Sequence, residues 1–188
     1  INEILNFVIM ENLFGNRLVS ARKMAGMSLQ DLSDKMKNVV TKQSLNKYEQ
    51  GKMKPDSEVS ILLSNVLDVP VDYFYSSPGI EVKLDNISYR KFISKISKNE
   101  QIAIEEKAKE TFERYLELEE VLNFDEKVEY FIYDKLIENA EDAEDAAKEL
   151  RKKWKLGYDP IPDVVEMLED KGYKVIEIDA PDGFDGMK

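Results

Sequence analysis

The sequence predicts a mainly α-helical protein, in which a small helical domain is followed by a long helix and by an α+β segment that is incomplete. Three observations carry this prediction. Short apolar-periodic segments between residues 14 and 75 are separated by glycine, asparagine and proline. A longer segment from Ser97 to about Leu122 keeps a helical period. The last segment, 125–188, has the order helix, helix, strand, which leaves a sheet unfinished.

The composition fits a folded chain and excludes several functional classes. Of the 188 residues, 43% are hydrophobic, which suffices for a buried core. The absence of cysteine and histidine removes disulfides, the usual zinc and haem ligands and histidine-based catalytic triads, so we expect no enzyme, no metal site and no cofactor here. No membrane span or signal peptide is recognisable, so we expect a cytoplasmic protein. The Ile1 start and the stop at Lys188 suggest a fragment of a longer protein.

Charge is distributed in blocks along the chain. The net charge of -11 argues on its own against a nucleic-acid partner. Residues 17–54, however, contain nine basic and three acidic residues, a local balance of +6, so the rest of the chain carries -17. Such asymmetry is typical of a basic DNA-binding domain on an acidic body, although a solvated basic surface without a ligand is also common.

The first predicted domain covers residues 14–75 and follows an N-terminal extension, 1–13. Ser28 and Asp31 have the spacing of a capping box, which predicts a helix start. Thr41 predicts a second start, and that helix ends near Gly51. Two short helices joined this closely are typical of the unit that places a helix in the DNA major groove.

The helix that begins at Thr41 has two chemically different faces. Leu45, Tyr48 and Glu49 share one side at 100° per residue. The other side carries amides and a base, namely Gln43, Asn46, Lys47 and Gln50. Amide side chains can pair bidentately with adenine and lysine can donate to guanine, and Lys42 in the first turn could meet a base or a phosphate. The alternative is an ordinary solvated surface helix.

An ion pair between Arg22 and Glu49 is predicted from the same faces. Arg22 lies on the apolar stripe of the first helix, and Glu49 lies on the inward side of the helix after Thr41. A buried arginine without a partner is costly, so we expect the two side chains to pair. Two independent side chains that each reach solvent are the alternative.

The segment from Phe14 to Tyr75 resembles the Xre/Cro phage-repressor class of helix-turn-helix domains. The matching motifs are Arg17-Leu18 with Ala21-Arg22, then Met27 to Leu32, then Thr41 to Gly51. The resemblance implies a five-helix domain that binds double-stranded operator DNA. We expect a homodimer, because one such domain covers only a half-site. The resemblance also implies base contacts by Lys42, Gln43, Asn46 and Lys47. It implies phosphate contacts by Ser28, Gln50 and Lys54, and it makes Arg22 and Glu49 the buried pair of the family.

Two positions depart from the pattern of that class. The turn Met36-Lys37-Asn38-Val39-Val40 is longer than usual and lacks glycine, which allows a different angle between the helices. Leu29 stands where many relatives have glutamine, so a phosphate contact is either absent or supplied by Gln30.

The segment 76–96 is predicted to be a linker with a short strand at 80–84, and 97–124 to be a long helix. Ser97 and Glu100 form its capping box. Its apolar stripe comprises Ile104, Ala108, Phe112, Tyr115, Leu118 and Leu122. Packing against the core and a dimer seam both explain this stripe.

Residues 125–188 are predicted to contain two helices and a strand. The first helix covers 142–154, with Ala143, Ala147, Leu150 and Trp154 facing inward. The second starts at Asp159-Pro160-Ile161-Pro162, with Ile161, Val165 and Leu168 inward, and ends at Gly172. Residues 173–178 are strand-like, and 124–139 is ambiguous between helix and strand.

The stretches 146–157, 159–162 and 172–178 resemble the beginning of an ImmA/IrrE-type zinc endopeptidase domain. In that family an H-E-x-x-H helix downstream binds zinc. The resemblance implies a second possible function, the regulatory front half of a protease that cleaves a partner repressor, with a repressor or a toxin-antitoxin-like protein as partner. A protein-interaction module that uses the acidic long helix is a third possibility.

Overall fold

The computed structural model describes residues 12–90, 96–124 and 127–188. The chain divides into two compact units, one formed by Ile1–Val121 with Ile178–Lys188 and one formed by Leu122–Glu177. The described residues contain seven α-helices, one 3-10 helix and no strand. The prediction of a mainly α-helical protein is therefore confirmed.

The first unit contains the small helical domain and the long helix. Its elements are α1 (Leu13–Met24), α2 (Leu29–Lys35), α3 (Lys42–Glu49), α4 (Ser57–Leu67), a 3-10 helix (Val71–Tyr75) and α5 (Lys98–Leu122). Five helical elements thus lie between residues 13 and 75, as the Xre/Cro resemblance implies, and the fifth is a 3-10 helix.

One apolar core holds this domain together. Its most deeply buried side chains come from every helical element, and they include Leu18, Leu32, Met36, Leu45, Leu63 and Phe74. Burial of each such side chain contributes about 1.5 to 3 kcal/mol. The centres of the Phe14 and Phe74 rings lie 5.1 Å apart, so the beginning and the end of the domain pack against each other.

The predicted helix starts are present at the atomic level. The Ser28 hydroxyl accepts a hydrogen bond from the Asp31 amide, and the Asp31 carboxylate accepts one from the Ser28 amide. Both bonds lower the pKa of Asp31. Ser97 and Glu100 form the same reciprocal pair at the start of α5. Each cap satisfies amide groups that a helix start leaves unpaired.

Helix α5 is buried as far as Glu113, and its end is exposed. Ala103, Ile104 and Ala108 are buried, whereas Leu118 is 58% and Leu122 is 65% exposed. Of the two explanations for the stripe, core packing therefore does not account for its last two residues, and the dimer seam stays a prediction. The reason for their exposure is length, because 25 residues of α5 span about 37 Å and the 12 residues of α1 span about 18 Å.

The second unit contains α6 (Ala140–Lys153) and α7 (Val164–Glu169). Asn139 caps α6 by accepting from two amides. The inward side of α6 carries Ala146 and Trp154, so the prediction of Ala143 and Ala147 as inward residues is wrong. At 100° per residue Ala143 and Ala147 lie on the same side of the helix as Ala146 and Trp154, so the helical period alone does not explain why these two alanines are exposed.

The predicted start of α7 is also wrong. The helix begins after Asp163, whose side chain accepts from the amides of Val165 and Glu166. Pro160 and Pro162 therefore precede the helix. The hydrogen bonds from Asp163 satisfy the free amides of the first turn, and they set the helix start after the two prolines. Val165, predicted to face inward, is 44% exposed.

The two predicted strands, 80–84 and 173–178, are not formed in the part of the chain that the structure describes. Outside these two segments, an isolated antiparallel bridge joins Tyr89 and Met187. A strand needs a neighbouring strand to satisfy its backbone groups, and these segments lie beside none. The ambiguous segment 124–139 is neither helix nor strand where it is described.

Candidate nucleic-acid interface

Helix α3 has a buried side and an outward polar side. Leu45 and Tyr48 lie in the core of the domain. The Thr41 hydroxyl accepts from the Ser44 amide at 3.2 Å and fixes the helix start. The residues predicted to contact bases are all exposed, namely Lys42, Gln43, Asn46 and Lys47. The outward side therefore carries two amide side chains and two positive charges within one short helix.

The structure brings Arg22 and Glu49 together in a two-pronged ion pair. Arg22 Nε lies 2.6 Å from Glu49 Oε1, and Arg22 Nη2 lies 3.1 Å from Glu49 Oε2. The Arg22 side chain is 15% exposed and that of Glu49 is 9% exposed. Arg22 Nη1 also donates to the Met27 carbonyl at 2.8 Å. One guanidinium thus connects α1, the turn before α2 and the end of α3.

Helices α1 and α3 approach each other closely at Gly15. A Cβ atom placed there would lie 2.5 Å from the Glu49 carbonyl oxygen and 2.7 Å from that of Tyr48. The Asn12 side chain donates to the same Glu49 carbonyl at 2.8 Å. A glycine inside a helical pattern is the sequence signal for such a close approach, and our sequence analysis did not use it.

Two of the predicted phosphate contacts are side chains with partners inside α2. The Ser28 hydroxyl accepts from the Asp31 amide, which leaves its own proton free to donate. Gln30 Nε2 donates to Asp34 Oδ1 at 2.9 Å and keeps a second amide proton. Both side chains retain donors that a phosphate oxygen could accept.

The other two predicted phosphate contacts lie at and after the end of α3. Gln50 Nε2 donates to Asn46 Oδ1 at 3.2 Å, so these two side chains orient each other. Lys54 is exposed in the loop before α4.

The long turn between α2 and α3 is built without glycine. Lys37 and Asn38 both adopt left-handed backbone conformations, with φ of 55° and 58°. The buried Ser33 hydroxyl donates to the Val40 carbonyl at 2.7 Å and holds the turn against α2. Val40 is buried, whereas Val39 is 68% exposed.

Helix α5 binds the opposite side of α1 through a charged cluster that our sequence analysis missed. Arg17 Nη1 donates to Glu110 Oε2 at 3.0 Å, and Arg17 Nη2 donates to Glu110 Oε1 at 3.2 Å. The Arg17 guanidinium carbon lies 3.8 Å from the centre of the Tyr73 ring. The Tyr73 hydroxyl donates to Glu110 at 3.3 Å, and burial is the main cause that raises the pKa of Tyr73. No sequence signal identified this pair, because 93 residues separate Arg17 and Glu110.

A second acid of α5, Glu106, pairs with side chains of the basic segment 17–54. Glu106 accepts from the Ser20 hydroxyl at 2.6 Å and lies 3.7 Å from Lys23. Arg17 and Lys23 are therefore already partnered within the chain. The positive charge that remains for a ligand comes mostly from the lysines around α3.

No group of three or more acidic side chains in residues 12–90, 96–124 and 127–188 is arranged to hold a metal ion. None of the described helices combines the length and the apolar character that crossing a membrane requires.

Comparison with known proteins identifies the same segment. A family model described as helix-turn-helix matches residues 18–74. The SPbeta prophage-derived uncharacterized HTH-type transcriptional regulator YonR of Bacillus subtilis (strain 168) is 36% identical over 75 residues, which cover 40% of this chain and 68% of that protein. The uncharacterized HTH-type transcriptional regulator YqaE of the same organism is 34% identical over 69 residues, 37% of this chain and 58% of its own length. No solved structure matches the chain.

Proposed function

Because this chain belongs to the Xre-like helix-turn-helix family of transcriptional regulators, we propose that it reads operator DNA by inserting α3 into the major groove. The chain is a DNA-binding transcriptional regulator. The observation that carries the finer proposal is the outward side of α3. Its amides and lysines are exposed, while the opposite side of the same helix is fixed in the core.

The proposed base contacts follow from the donors and acceptors of this side. Gln43 and Asn46 each offer an amide donor and a carbonyl acceptor, the pattern that matches the major-groove edge of adenine. Lys42 and Lys47 offer donors to guanine O6 and N7. Each well-placed bidentate contact discriminates between bases by about 1 to 3 kcal/mol.

The proposed phosphate contacts surround this helix. Ser28 and Gln30 at the start of α2, and Gln50 and Lys54 after α3, would fix the position of the domain on the duplex without reading its sequence. Their free amide and hydroxyl protons and the lysine charge support this role.

We propose that the regulator binds as a homodimer. One domain of this size covers only half an operator, and two copies on one face of the duplex require half-sites about 34 Å apart. The cytoplasmic location predicted from the sequence belongs to the same proposal, because a regulator has to reach the DNA.

The resemblance of 146–178 to the beginning of an ImmA/IrrE-type domain supports a second, separate proposal. A longer protein with this front part would combine DNA binding with cleavage of a partner repressor or a toxin-antitoxin-like protein. An H-E-x-x-H motif after Lys188 in the reading frame supports that proposal, and a reading frame without it contradicts the proposal.

Selection of bound sites from random duplex DNA tests the main proposal. We expect the chain to enrich one motif, and two copies of it in inverted orientation. Gln43→Ala and Lys47→Ala should relax the preference at particular positions of that motif, by about tenfold to a hundredfold per contact. Lys83→Ala is the matched control, because Lys83 is an exposed lysine outside the basic block. Unchanged selectivity of both α3 variants would contradict the proposal.

A further inference from the structure

We propose that the turn between α2 and α3 is a second DNA-reading element, in which Val39 packs against the 5-methyl group of a thymine. This inference rests on the proposed function of α3. It adds an apolar contact to a surface whose other expected contacts are polar or charged.

The turn holds Val39 in a defined position. The Val39 amide donates to the Met36 carbonyl at 3.1 Å, and the Asn38 amide donates to the Ser33 carbonyl at 2.9 Å. On the other side of Val39, the Val40 carbonyl accepts from the Ser33 hydroxyl. A side chain between two such anchors can meet a ligand with little loss of backbone entropy.

The two valines of the turn have opposite environments. Val40 is 4% exposed and belongs to the core, whereas Val39 is 68% exposed. A single exposed apolar residue is common on protein surfaces and needs no ligand by itself. The inference therefore depends on where Val39 lies and on what surrounds it.

Val39 lies beside the end of α3 that enters the groove. It precedes the cap residue Thr41 by two positions, so their Cα atoms are at most about 7.6 Å apart. The N-terminal residues of a recognition helix are the ones that contact base edges. In the major groove the thymine methyl is the apolar group among the base edges, and small apolar side chains contact it.

The charges near Val39 favour DNA over a protein partner. Lys35, Lys37 and Lys42 are exposed within four residues of it. The sequence holds no acid within four residues of Val39 on either side. An apolar side chain among cations is complementary to an apolar group among phosphates.

Ile61 provides a comparison within the same domain. It is 52% exposed on α4 and has the exposed acid Glu58 three residues before it. An exposed apolar residue next to an acid has the wrong charge environment for a phosphate backbone. Ile61 is therefore the matched control.

The test uses the full chain and the duplex that it selects from random DNA. Each thymine of that duplex is replaced in turn by deoxyuridine, which pairs identically and lacks the 5-methyl group. We expect one replacement per half-site to weaken binding about fourfold, the loss that corresponds to one buried methyl group. Val39→Ala should bind the thymine and the uracil duplex equally at that position. Val39→Thr, which keeps a methyl group, should retain the difference, and Ile61→Ala should bind like the parent.

Two results overturn the inference while the proposed function stands. One is a parent chain that tolerates every uracil replacement. The other is a Val39→Ala chain that keeps the thymine preference of the parent at every position. A chain that selects no motif, or unchanged selectivity of both Gln43→Ala and Lys47→Ala, contradicts the function of α3 instead. Because Val39 is exposed, its variants should unfold at the temperature of the parent, which circular dichroism verifies.

Discussion

The contact of Arg22 with Glu49 illustrates what single residues reveal in advance. Both positions fall on inward helix faces, and a buried charge requires a partner, so the sequence alone predicted that they meet. The contact of Arg17 with Glu110 obeys the same physical rule but escaped prediction. The partner lies on a distant helix, and no periodicity in the sequence says which face of α5 meets α1.

We expect the Arg22 and Glu49 side chains to be strongly coupled. Arg22→Ala and Glu49→Ala should each lower the free energy of unfolding by about 3 kcal/mol, because each leaves a partly buried charge without its partner. The double variant should lose much less than the sum of the two. Urea denaturation of all four proteins measures the coupling, and additive losses would contradict it.

Glu113 of α5 should make stability depend on pH. It is 4% exposed, and burial is the main cause that raises its pKa above the ordinary value of 4.5. In the pH range just above 4.5 the folded chain therefore binds more protons than the unfolded chain, and the free energy of unfolding falls as pH rises through that range.

The variant Glu113→Gln tests this dependence. Glutamine is neutral at every pH and can still accept from the Val82 amide, which donates to Glu113 at 3.2 Å. We expect the variant to be more stable than the parent at pH 7 and nearly equal to it below pH 4.5. Parallel curves of unfolding free energy against pH for the two proteins would refute the assignment.

At the scale of elements, the side-chain caps of the first unit predicted helix starts well, whereas the proline signal at 159–162 and the partner-dependent signals did not. Ser28, Thr41 and Ser97 act within four residues of themselves, and all three helix starts are present. The strands expected at 80–84 and 173–178 failed because a strand is defined by a neighbour that the sequence pattern does not identify. The exposure of Leu118 and Leu122 at the end of the α5 stripe has a similar cause, since their cover depends on the length of α1.

Because α1 and α3 approach closely at Gly15, we expect a Gly→Ala substitution there to destabilise the protein, although this substitution usually stabilises a helix. Gly→Ala inside a helix usually stabilises by about 1 kcal/mol. Gly15→Ala should instead destabilise by about 2 kcal/mol, because the new methyl group would overlap the carbonyl oxygens of Tyr48 and Glu49.

Asn16→Ala is the control for this substitution. Asn16 is the next residue of α1 and is exposed, so its change should follow helix propensity and leave stability equal or slightly higher. Thermal unfolding of both variants separates packing from propensity. If Gly15→Ala unfolds at the temperature of the parent or above it, the close approach is not a constraint.

At the scale of the whole molecule, the charge counted along residues 17–54 is larger than the positive charge available to a ligand. Residues 17–54 carry +6, but α5 already pairs Arg17 and Lys23 with its own acids. A count along the sequence could not predict this neutralisation, because it occurs between segments far apart in the chain. The strongly acidic remainder repels DNA, so binding must depend on a few lysines around α3.

This dependence should appear in the effect of salt. The logarithm of the binding constant should fall linearly with the logarithm of salt concentration, since each neutralised phosphate releases counterions. Lys54→Ala should weaken binding to all sequences alike and make the slope shallower by about 1. Lys83→Ala should leave the slope unchanged. A Lys54→Ala variant with the slope of the parent would remove Lys54 from the set of phosphate contacts.

The outward side of α3 also bears on how such a regulator can change during evolution. Among the described residues, no hydrogen bond or ion pair joins the side chains of Lys42, Gln43 and Lys47 to another element, while the Asn46 side chain pairs with Gln50 one turn along. Mutations at these places leave the scaffold intact. A lineage can therefore acquire a new target site by small steps, without passing through unstable intermediates.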